Sequence, residues 1–362
     1  MNPVNSSLQP GFAYVGCFTS PGRKGHGKGI NVFRTDPANG TLRHVQLLPE
    51  FVDPSFLVLD HSGKYLYSVS ASEGKISAFS VDSRSGQLTW LNTRSSGGVN
   101  PVALCLDPSN RFLLTVNYSS GSVVVLPVAP DGSLEPQCDF IQLQGEPGPD
   151  KKEQDVSHPH HISFDNQGPY VFVPDKGYDK IFVFSFDART GKLALNDTLS
   201  VEAAPGAGPR HIAFHPGGAY GYVINELDST ISTFSYAPDR EVFEQIQVIS
   251  ALPAGFSGET TGAEIQVAPS GKFVYASNRG HDSIVVCAVD ELTGYLNAVQ
   301  WESTQGATPR YFTLDPSGNF LYALNQDSDS LVMFKVDQAT GTLTPGDQTI
   351  SIGSPVCMVF TR

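Results

Sequence analysis

The chain has 362 residues, 35 of them glycine and 26 proline, and a formal net charge of −13. Only 16% of the residues are charged and 40% are hydrophobic, a composition that supports a buried core and excludes intrinsic disorder. The acidic balance argues against a nucleic-acid-binding protein, because phosphate contacts need clustered Lys and Arg.

The sequence predicts neither a membrane span nor a secretory leader. No apolar run approaches the roughly 18 residues of a transmembrane helix, and the first residues lack a basic stretch followed by an apolar one. We therefore expect a cytoplasmic protein that binds neither membranes nor nucleic acids. The five cysteines are scattered without C-x-x-C spacing, which favours reduced, buried strand residues over zinc ligands or a catalytic thiol.

Taken in chain order, the predicted elements repeat with a period of about fifty residues. Strands rich in aromatic and β-branched residues recur, and each precedes a second alternating strand, a polar turn and a third strand. The leading strands are GKYLYSVS from Gly63, NRFLLTVN from Asn110, GPYVFVPD from Gly168, GAYGYVIN from Gly218, GKFVYASN from Gly271 and GNFLYALN from Gly318. A further short strand comes before each of them and usually opens with proline: Pro54, Pro101, Pro159, Pro209, Pro309 and Pro355, with Ala263 at the remaining position.

Each repeat thus has four strands, a to d, and no helical segment, which is typical of a β-propeller blade. Seven a strands predict an all-β, seven-bladed propeller. The chain begins on a b strand, FAYVGCF from Phe12, and ends on an a strand, PVCMVFTR from Pro355. We expect the last strand to complete the first blade and close the ring, which removes exposed edges. Residues 1–10 would form an N-terminal tail and residues 11–362 a single propeller domain.

The geometry of a blade indicates where chemistry could take place. Strand a is innermost and antiparallel to strand b, so the start of a and the end of b meet at one mouth of the central channel. In a chain with little charge, that mouth collects His158, His160, His161, Arg210, His211, Glu226, Glu264, Arg279 and Arg310. They concentrate on blades 4 to 7, whereas the corresponding segments of blades 2 and 3, such as PSFL and PVAL, have no charged residue or histidine. This contrast predicts a functional site.

Individual residues at this mouth have structural alternatives. Asn225 shares its register with Asn117, Asp175, Asn278 and Asn325, which favours capping of the turn after strand b over substrate contact. Glu226 beside Arg210 could be a structural ion pair, but a base held near a cation is also what hydrolysis needs.

Two histidines, His158 and His160, should project from the same side of an extended strand, as in some metal sites. Spacing places no third ligand, so catalysis or anion binding without a metal is the favoured interpretation. No G-x-S-x-G elbow, phosphate-binding P-loop or dinucleotide fingerprint appears in the sequence.

A basic loop from Ser20 to Gly29, SPGRKGHGKG, joins strands b and c of blade 1 on the same face. A solvated, flexible loop is the simpler interpretation. The alternative is that its cations bind a phosphate or carboxylate of the substrate; they are Arg23, Lys24, His26 and Lys28.

The chain resembles the seven-bladed propeller lactonases, which include propeller-type bacterial 6-phosphogluconolactonases and fungal carboxy-cis,cis-muconate lactonising enzymes. The resemblance covers nearly the whole chain. It is carried by G-x-GPRH-x-x-FHP from Gly206 to Pro216, NEL from Asn225 to Leu227, AEI-x-x-x-PSG-x-x-x-Y-x-SNRG from Ala263 to Gly280, TPR-x-F-x-x-DPSG-x-x-L from Thr308 to Leu321, and YVGCFTS from Tyr14 to Ser20.

The resemblance implies lactone chemistry by a histidine, two arginines and a glutamate. On this sequence they fall on His158 or His160, Arg210, Arg279 and Glu226. In this hypothesis Glu226 activates water, the arginines bind the oxyanion or a carboxylate, and a histidine protonates the leaving alkoxide. We further predict substrate contacts for Arg279, Arg310, His211, Glu264 and Asn225.

The expected reaction is hydrolysis of an anionic sugar lactone, with 6-phosphogluconolactone the first candidate, by a monomer or weak homo-oligomer without cofactor or metal. Two alternatives remain open at this point. The same cations would suit a carboxymuconate-type cycloisomerase, and a propeller can also be a non-enzymatic scaffold for a peptide. The scaffold is less favoured, because the chain has only two Trp and no repeated Trp-Asp dipeptide.

Overall fold

The computed structural model describes residues 11–165 and 168–361, which form seven antiparallel β-sheets. Each sheet has four strands, and the sheet from residue 163 to residue 202 carries one short extra strand. The order is sequential in six sheets, whereas in the seventh the last strand of the chain precedes the first three. The prediction of an all-β, seven-bladed propeller is confirmed. The described residues contain no α-helix, only short 3-10 turns at Pro21–Arg23 and Pro238–Arg240. The predicted tail, residues 1–10, lies outside the described residues.

The strands of the first four blades follow the predicted order. Blade 1 has β1 (Phe12–Cys17), β2 (Ile30–Thr35) and β3 (Leu42–Leu48); blade 2 has β4 (Leu57–Leu59), β5 (Tyr65–Ser70), β6 (Lys75–Val81) and β7 (Leu88–Ser95). Blade 3 has β8 (Pro101–Leu106), β9 (Phe112–Asn117), β10 (Ser122–Pro127) and β11 (Asp139–Gln142); blade 4 has β12 (Ser163–Phe164), β13 (Tyr170–Asp175), β14 (Lys180–Asp187), β15 (Lys192–Leu195) and β16 (Val201–Glu202).

The remaining strands continue this pattern and return to blade 1. Blade 5 has β17 (Pro209–Phe214), β18 (Tyr220–Asn225), β19 (Thr230–Ala237) and β20 (Val242–Ser250); blade 6 has β21 (Thr261–Val267), β22 (Phe273–Arg279), β23 (Ser283–Val289) and β24 (Leu296–Ser303). Blade 7 has β25 (Pro309–Leu314), β26 (Phe320–Asn325), β27 (Ser330–Val336) and β28 (Leu343–Ser351), and β29 (Pro355–Phe360) joins blade 1.

Ring closure depends on β29, which lies antiparallel to β1 and completes blade 1 as its innermost strand. The pairing runs from Ala13 opposite Phe360 to Cys17 opposite Pro355. Met358 is fully buried in the cluster that joins blade 1 to blade 7. The last strand thus closes the ring as predicted.

A repeated contact between neighbouring blades explains why aromatic residues and glycines recur together. In blade 1, the hydroxyl of Tyr14 donates a hydrogen bond to the carbonyl of Gly86 in the c–d turn of blade 2, at 3.0 Å. Gly86 has φ +74°, and a Cβ there would lie 2.2 Å from the ring of Phe12, so only glycine fits. The same bond recurs from Tyr67 to Gly132, Tyr222 to Gly294, Tyr275 to Gly341 and Tyr322 to Gly40.

Blade 4 differs from the predicted pattern at its innermost strand. The sequence predicts a strand from Pro159, but the regular ladder is limited to β12, with an isolated bridge between Pro159 and Asp175. Pro159 and Pro174 both lack an N–H group, so a continuous ladder cannot form here. The segment still follows β13, because the N–H of His160 donates to the carbonyl of Pro174 at 3.0 Å.

Two cavities lie along the central channel. A cavity of about 1060 Å³ opens where the a strands end and is lined by Asp60, Asp315 and Phe360 among others. A cavity of about 20 Å³ lies where the a strands begin. Tyr311 lines both cavities and therefore stands between them. Among the described residues, no helix is long and apolar enough to cross a membrane.

Removal of residues 355–362 should destabilise the whole ring, because it leaves β1 with an unpaired edge and opens the adjoining cores. We expect a large fall in the melting temperature or loss of folding. Met358→Ala gives a measurable version of the same test and should cost about 2–5 kcal/mol of unfolding free energy. Thr344→Ala, on the exposed face of β28, is the control. Unchanged denaturant midpoints for both the truncated chain and Met358→Ala would contradict the closure.

Candidate active site

β-bulges at the start of the innermost strands place two arginines at the channel mouth. In blade 5, Pro209 pairs with Asn225 but His211 pairs with Ile224, so Arg210 is the extra residue of the bulge. Blade 7 has the same irregularity, which makes Arg310 its extra residue. A bulge turns the extra side chain away from the regular pleat. Here both side chains line the small cavity.

The ends of the b strands supply three more charged residues in one register. Glu226 follows Asn225 at the end of β18, and Arg279 follows Asn278 at the end of β22. Lys176 follows Asp175 at the end of β13 in the same way. Lys176 is not among the residues predicted for the mouth, although its register is the same as that of Glu226. This equivalence is the signal that would have found it.

The carboxylate of Glu226 is the centre of a buried ion cluster that joins blades 4, 5 and 6. Its Oε2 lies 2.8 Å from Nε of Arg210 and 3.2 Å from Nη2 of Arg279, and its Oε1 lies 3.2 Å from Nζ of Lys176. Lys176 also contacts Glu153 at 2.9 Å and lies over the ring of Tyr118. The predicted convergence of Arg210, Glu226 and Arg279 is therefore observed.

The cations control the ionisation of this carboxylate. Burial would raise the pKa of Glu226, but Arg279, Lys176 and Arg210 outweigh it and hold the pKa well below its usual range. Burial opposes the charge of Lys176, whereas Glu226 favours it, and the net pKa of the lysine is raised. Glu226 is consequently an ionised group with low proton affinity. Its Oε2 and the Nε atoms of both arginines are buried without a well-aligned hydrogen bond among the described residues.

A second buried chain of side chains runs beside this cluster. Nδ1 of His160 lies 3.2 Å from Nε2 of His211, and Nδ1 of His211 lies 3.2 Å from Oε2 of Glu264. Nη1 of Arg210 lies 3.1 Å from Nε2 of His211 and also donates to the carbonyl of Ala263. His160 and His211 both line the small cavity.

His160, His211 and Glu264 are uncharged in the folded protein near neutral pH. Burial, followed by the charge of Arg210, holds the pKa values of His160 and His211 well below the usual value for histidine. Burial raises the pKa of Glu264 to about 8, although Arg210 and the N–H of Ile265 partly oppose this. The close approach of His211 and Glu264 is thus a hydrogen bond between uncharged groups rather than a salt bridge.

The other two histidines of the SHPHH segment have different surroundings. Both ring nitrogens of His158 have partners, the carbonyl of Tyr118 at 3.1 Å and Asp155 at 3.0 Å, and the ring stacks on Tyr118. His161 is stacked on His211 with ring centroids 4.6 Å apart. Of the two candidates for the catalytic histidine, the structure therefore favours His160. The catalytic role predicted for His158 stays a prediction.

Asn225 belongs to the turn rather than to the cluster. Its amide nitrogen donates to Thr230 and Ser232 in its own blade, and the side chain is buried. Asn117, Asn278 and Asn325 also donate to a serine at the start of the following strand. These contacts favour the capping alternative for Asn225, and its predicted contact with substrate stays a prediction.

The basic loop brings one of its cations to the mouth. Arg23 lines the small cavity together with Arg310, hydrogen-bonds Asn100, and lies over the ring of Phe18, which Arg310 also contacts. Arg310 has no carboxylate partner among the described residues. Lys24 and Lys28 are exposed, and His26 lies 3.1 Å from Asp329. Of the four cations of this loop, Arg23 is the one that lines the small cavity.

The mouth carries a clear excess of positive charge. Its cations are Lys176, Arg210, Arg279, Arg310 and Arg23, and the carboxylates that contact them are Glu226 and Glu153. Glu264 does not balance the excess, because its raised pKa of about 8 keeps it protonated at neutral pH. Within the described parts of the chain, no group of three or more His, Cys, Asp or Glu is arranged to hold a metal ion.

Comparison with known proteins agrees with the fold. Residues 12–360 match the family model described as lactonase, 7-bladed beta-propeller, and the chain therefore belongs to the seven-bladed β-propeller lactonase family. A Bacillus subtilis relative named 6-phosphogluconolactonase is 38% identical over 349 residues, 96% of this chain and 97% of the relative. One from Formosa agariphila with the same name is 35% identical and covers 83% and 86% of the two chains.

Solved structures show the same architecture. A protein from Bacteroides fragilis superposes with a TM-score of 0.90 at 32% identity and covers 100% of both chains. A periplasmic gluconolactonase from Pseudomonas aeruginosa superposes with a TM-score of 0.89 at 30% identity, covering 98% of this chain and 99% of its own.

The raised pKa of Glu264 should appear in the pH dependence of stability. The folded protein has a Glu264 pKa near 8 against an ordinary value of 4.5, so between these pH values it retains a proton that the unfolded chain has released. The unfolding free energy contributed by Glu264 should fall as pH rises through this window, by at most about 1.4 kcal/mol per pH unit, and level off above it.

Denaturant unfolding of Glu264→Gln from pH 5 to pH 9 measures this effect. The stability of the wild type relative to the variant should decrease across the window. Glu244→Gln, on an exposed position of β20, is the matched control and should follow the wild type. A constant difference between wild type and Glu264→Gln at all pH values would contradict the raised pKa.

Proposed function

We propose that this protein hydrolyses an anionic sugar lactone, with 6-phosphogluconolactone as the substrate and 6-phosphogluconate as the product. The main support for this proposal is that five cationic side chains converge on one channel mouth of an acidic protein. Such a mouth attracts anions and repels cations. Membership of the lactonase family and the names of the relatives from Bacillus subtilis and Formosa agariphila support the same reaction.

Arg310 and Arg23 are the proposed binding residues for the phosphate group. They line the same cavity and share contacts with Phe18, and Arg310 has no competing carboxylate partner among the described residues. A guanidinium can donate two parallel hydrogen bonds to a phosphate, which suits it to this role. Burial, followed by repulsion from Arg210 and Arg279, lowers the pKa of Arg310, and a bound phosphate would offset that repulsion.

Ring opening requires water to attack the lactone carbonyl, a base to take the proton of that water, and donors for the oxyanion. We assign the oxyanion donors to Arg210, which lines the cavity, and to Arg279, which lies beside it on the carboxylate of Glu226. We assign proton transfer to His160, which lines the cavity as a neutral imidazole. The same ring can return the proton to the ring oxygen as it leaves.

The role of Glu226 is to hold this arrangement together. A carboxylate that contacts three cations is a weak base, which disfavours the alternative that Glu226 itself activates water. Its charge lies near His160, where it favours a proton on the imidazole. Glu226 is therefore proposed to position the arginines and Lys176 and to stabilise proton uptake by His160.

No specific observation favours either alternative, the cycloisomerase or the non-enzymatic scaffold. A cycloisomerase would use a similar set of cations, but the named relatives are lactonases. A scaffold would not need a buried carboxylate in contact with three cations at the centre of its charged mouth. A cytoplasmic location and a monomeric or weakly oligomeric state stay predictions.

The substrate proposal predicts a charge-dependent specificity. Hydrolysis should be faster for 6-phosphogluconolactone than for gluconolactone when kcat/KM values are compared at equal ionic strength. Arg310→Ala and Arg23→Ala should each raise KM for the phosphorylated lactone by about 10-fold to 100-fold, the value of a lost charge-assisted hydrogen bond. They should change KM for gluconolactone by much less.

Arg240→Ala is the control for these arginines, because Arg240 lies in an exposed turn. Equal KM changes for both lactones would refute phosphate binding at Arg310 and Arg23. Absence of hydrolysis with either lactone, together with turnover of a carboxymuconate, would favour the cycloisomerase instead.

Glu226→Gln should lower kcat by on the order of 10²-fold or more, because it removes the charge that orders the cations and supports proton transfer. The positioning role also predicts a raised KM, since Arg210, Arg279 and Lys176 lose their common partner. A general base would instead lower kcat with little change in KM. Wild-type kcat and KM in this variant would refute both roles.

A further inference from the structure

Three side chains from three successive blades form a continuous line into the protein interior. His160 comes from blade 4, His211 from blade 5 and Glu264 from blade 6, and each of the two gaps between them is 3.2 Å. His160 and His211 line the cavity, and Glu264 is 5% exposed. The line therefore leads from the proposed reaction site to a buried carboxyl group.

The chemistry of imidazole permits two protonation patterns along this line. A neutral imidazole has one N–H donor and one acceptor nitrogen. If Glu264 accepts, Nδ1 of His211 carries a hydrogen, its Nε2 accepts from Nδ1 of His160, and Nε2 of His160 has a free electron pair. If Glu264 is protonated and donates, every hydrogen bond reverses and Nε2 of His160 carries a hydrogen.

Arg210 biases this choice toward the first pattern. Its Nη1 can only donate, and it lies 3.1 Å from Nε2 of His211. That contact requires an acceptor at Nε2. In the second pattern Nη1 would lose this partner but keep the carbonyl of Ala263. The two patterns are thus both compatible with the fold, and the first is the one able to receive a proton from water.

We propose that His160, His211 and Glu264 form a proton relay, in which His160 takes the proton of the attacking water and Glu264 is the final acceptor. His160 touches the reacting molecules, whereas His211 and Glu264 are positioning residues that act through it. The relay rests on the proposed lactone hydrolysis and adds two residues to its machinery.

The protons balance over one turnover. Nε2 of His160 takes a proton from water as the water oxygen bonds to the lactone carbonyl carbon. The hydrogen on Nδ1 of His160 passes to Nε2 of His211, and the hydrogen on Nδ1 of His211 passes to Oε2 of the Glu264 carboxylate. When the bond between the carbonyl carbon and the ring oxygen breaks, the three transfers reverse and the departing oxygen is protonated.

The surroundings explain why a relay is preferable to a protonated histidine. His160 faces Arg210, Arg310 and Lys176, with Glu226 the opposing charge, and His211 faces Arg210 and the neighbouring histidines. A full positive charge on either ring is disfavoured by burial and by these cations. Glu264 faces Arg210, His211 and Tyr311 in an interior that favours its protonated form. A proton is therefore more stable at Glu264 than at either imidazole.

The relay predicts a pH dependence with a definite direction. Only an ionised Glu264 can accept the proton, so kcat/KM should rise as pH increases through a value near 8, the pKa of Glu264. The uncatalysed hydrolysis of the lactone is subtracted at each pH. Glu264→Gln should lower kcat at least about 10-fold at pH 8.5, in the range of a lost acid–base contribution, and abolish this rise.

His211→Gln supplies an independent test. Its amide oxygen can replace Nε2 of His211 as an acceptor, which preserves the fold, but an amide does not relay a proton. The loss in kcat should match that of Glu264→Gln, and the double variant should be no slower than the slower single variant, because both substitutions interrupt one chain. His44→Gln on β3 and Glu244→Gln on β20 are the matched controls. Multiplicative losses, or a wild-type pH profile in Glu264→Gln, would overturn the relay.

Nitrogen NMR of histidine-labelled protein tests the relay without any substrate. As pH falls through the titration of Glu264, the signals of His160 and His211 should exchange a hydrogen on Nδ1 for one on Nε2, with neither ring becoming imidazolium. Assignments come from His160→Gln and His211→Gln. Unchanged tautomers from pH 6 to pH 10 would overturn the relay even if lactones are hydrolysed. An enzyme inactive on lactones but with the tautomer exchange would refute the proposed function alone.

Discussion

Ring closure is the constraint on which the rest of the molecule depends. A blade alone is a small sheet with two exposed faces, and its hydrophobic residues become buried only against the blades on either side. The pairing of β29 with β1 supplies the last of these contacts. Because all seven a strands then start around one axis, residues far apart in the sequence become neighbours. Lys176, Glu226 and Arg279, each from a different blade, meet for this reason.

Two buried glutamates in this site show how position decides chemistry. Glu226 is surrounded by three cations, which overcome burial and keep it ionised. Glu264 has a neutral histidine and, within the described part of the chain, a single guanidinium that opposes burial, so burial dominates and favours the protonated form. The residue type is the same in both places. One carboxylate is consequently suited to ordering charges, and the other to exchanging protons near neutral pH.

The fold could be predicted because the same pattern of strands and turns recurs along the chain. Alternating strands, proline-opened a strands and glycine turns recur in each unit, and the Tyr14–Gly86 contact shows why aromatic residues and glycines occur together. The mouth could be predicted as well, since blade geometry fixes where a begins and b ends. Lys176 was missed although its register matched that of Glu226.

Other parts of the site depend on contacts that spacing does not reveal. The alternation of side chains along a strand predicted that His158 and His160 project from the same side. Two prolines interrupt the ladder there, and the ring of His158 stacks on Tyr118. The protonation of Glu264 results from burial among side chains of three blades, which no local pattern encodes. Strand position therefore identified most of the residues at the mouth, whereas their roles required the distances.

Tyr311 lies between the two cavities of the channel, and this has a consequence for how the catalytic cycle ends. The proposed reaction site lies on the side of Tyr311 where the a strands begin, at the charged mouth. Ring opening creates a carboxylate, so the product bears one more negative charge than the lactone and meets the same arginines on its way out. The charge that speeds capture of the substrate thus slows departure of the product, and salt, which screens both, would shift the balance between them.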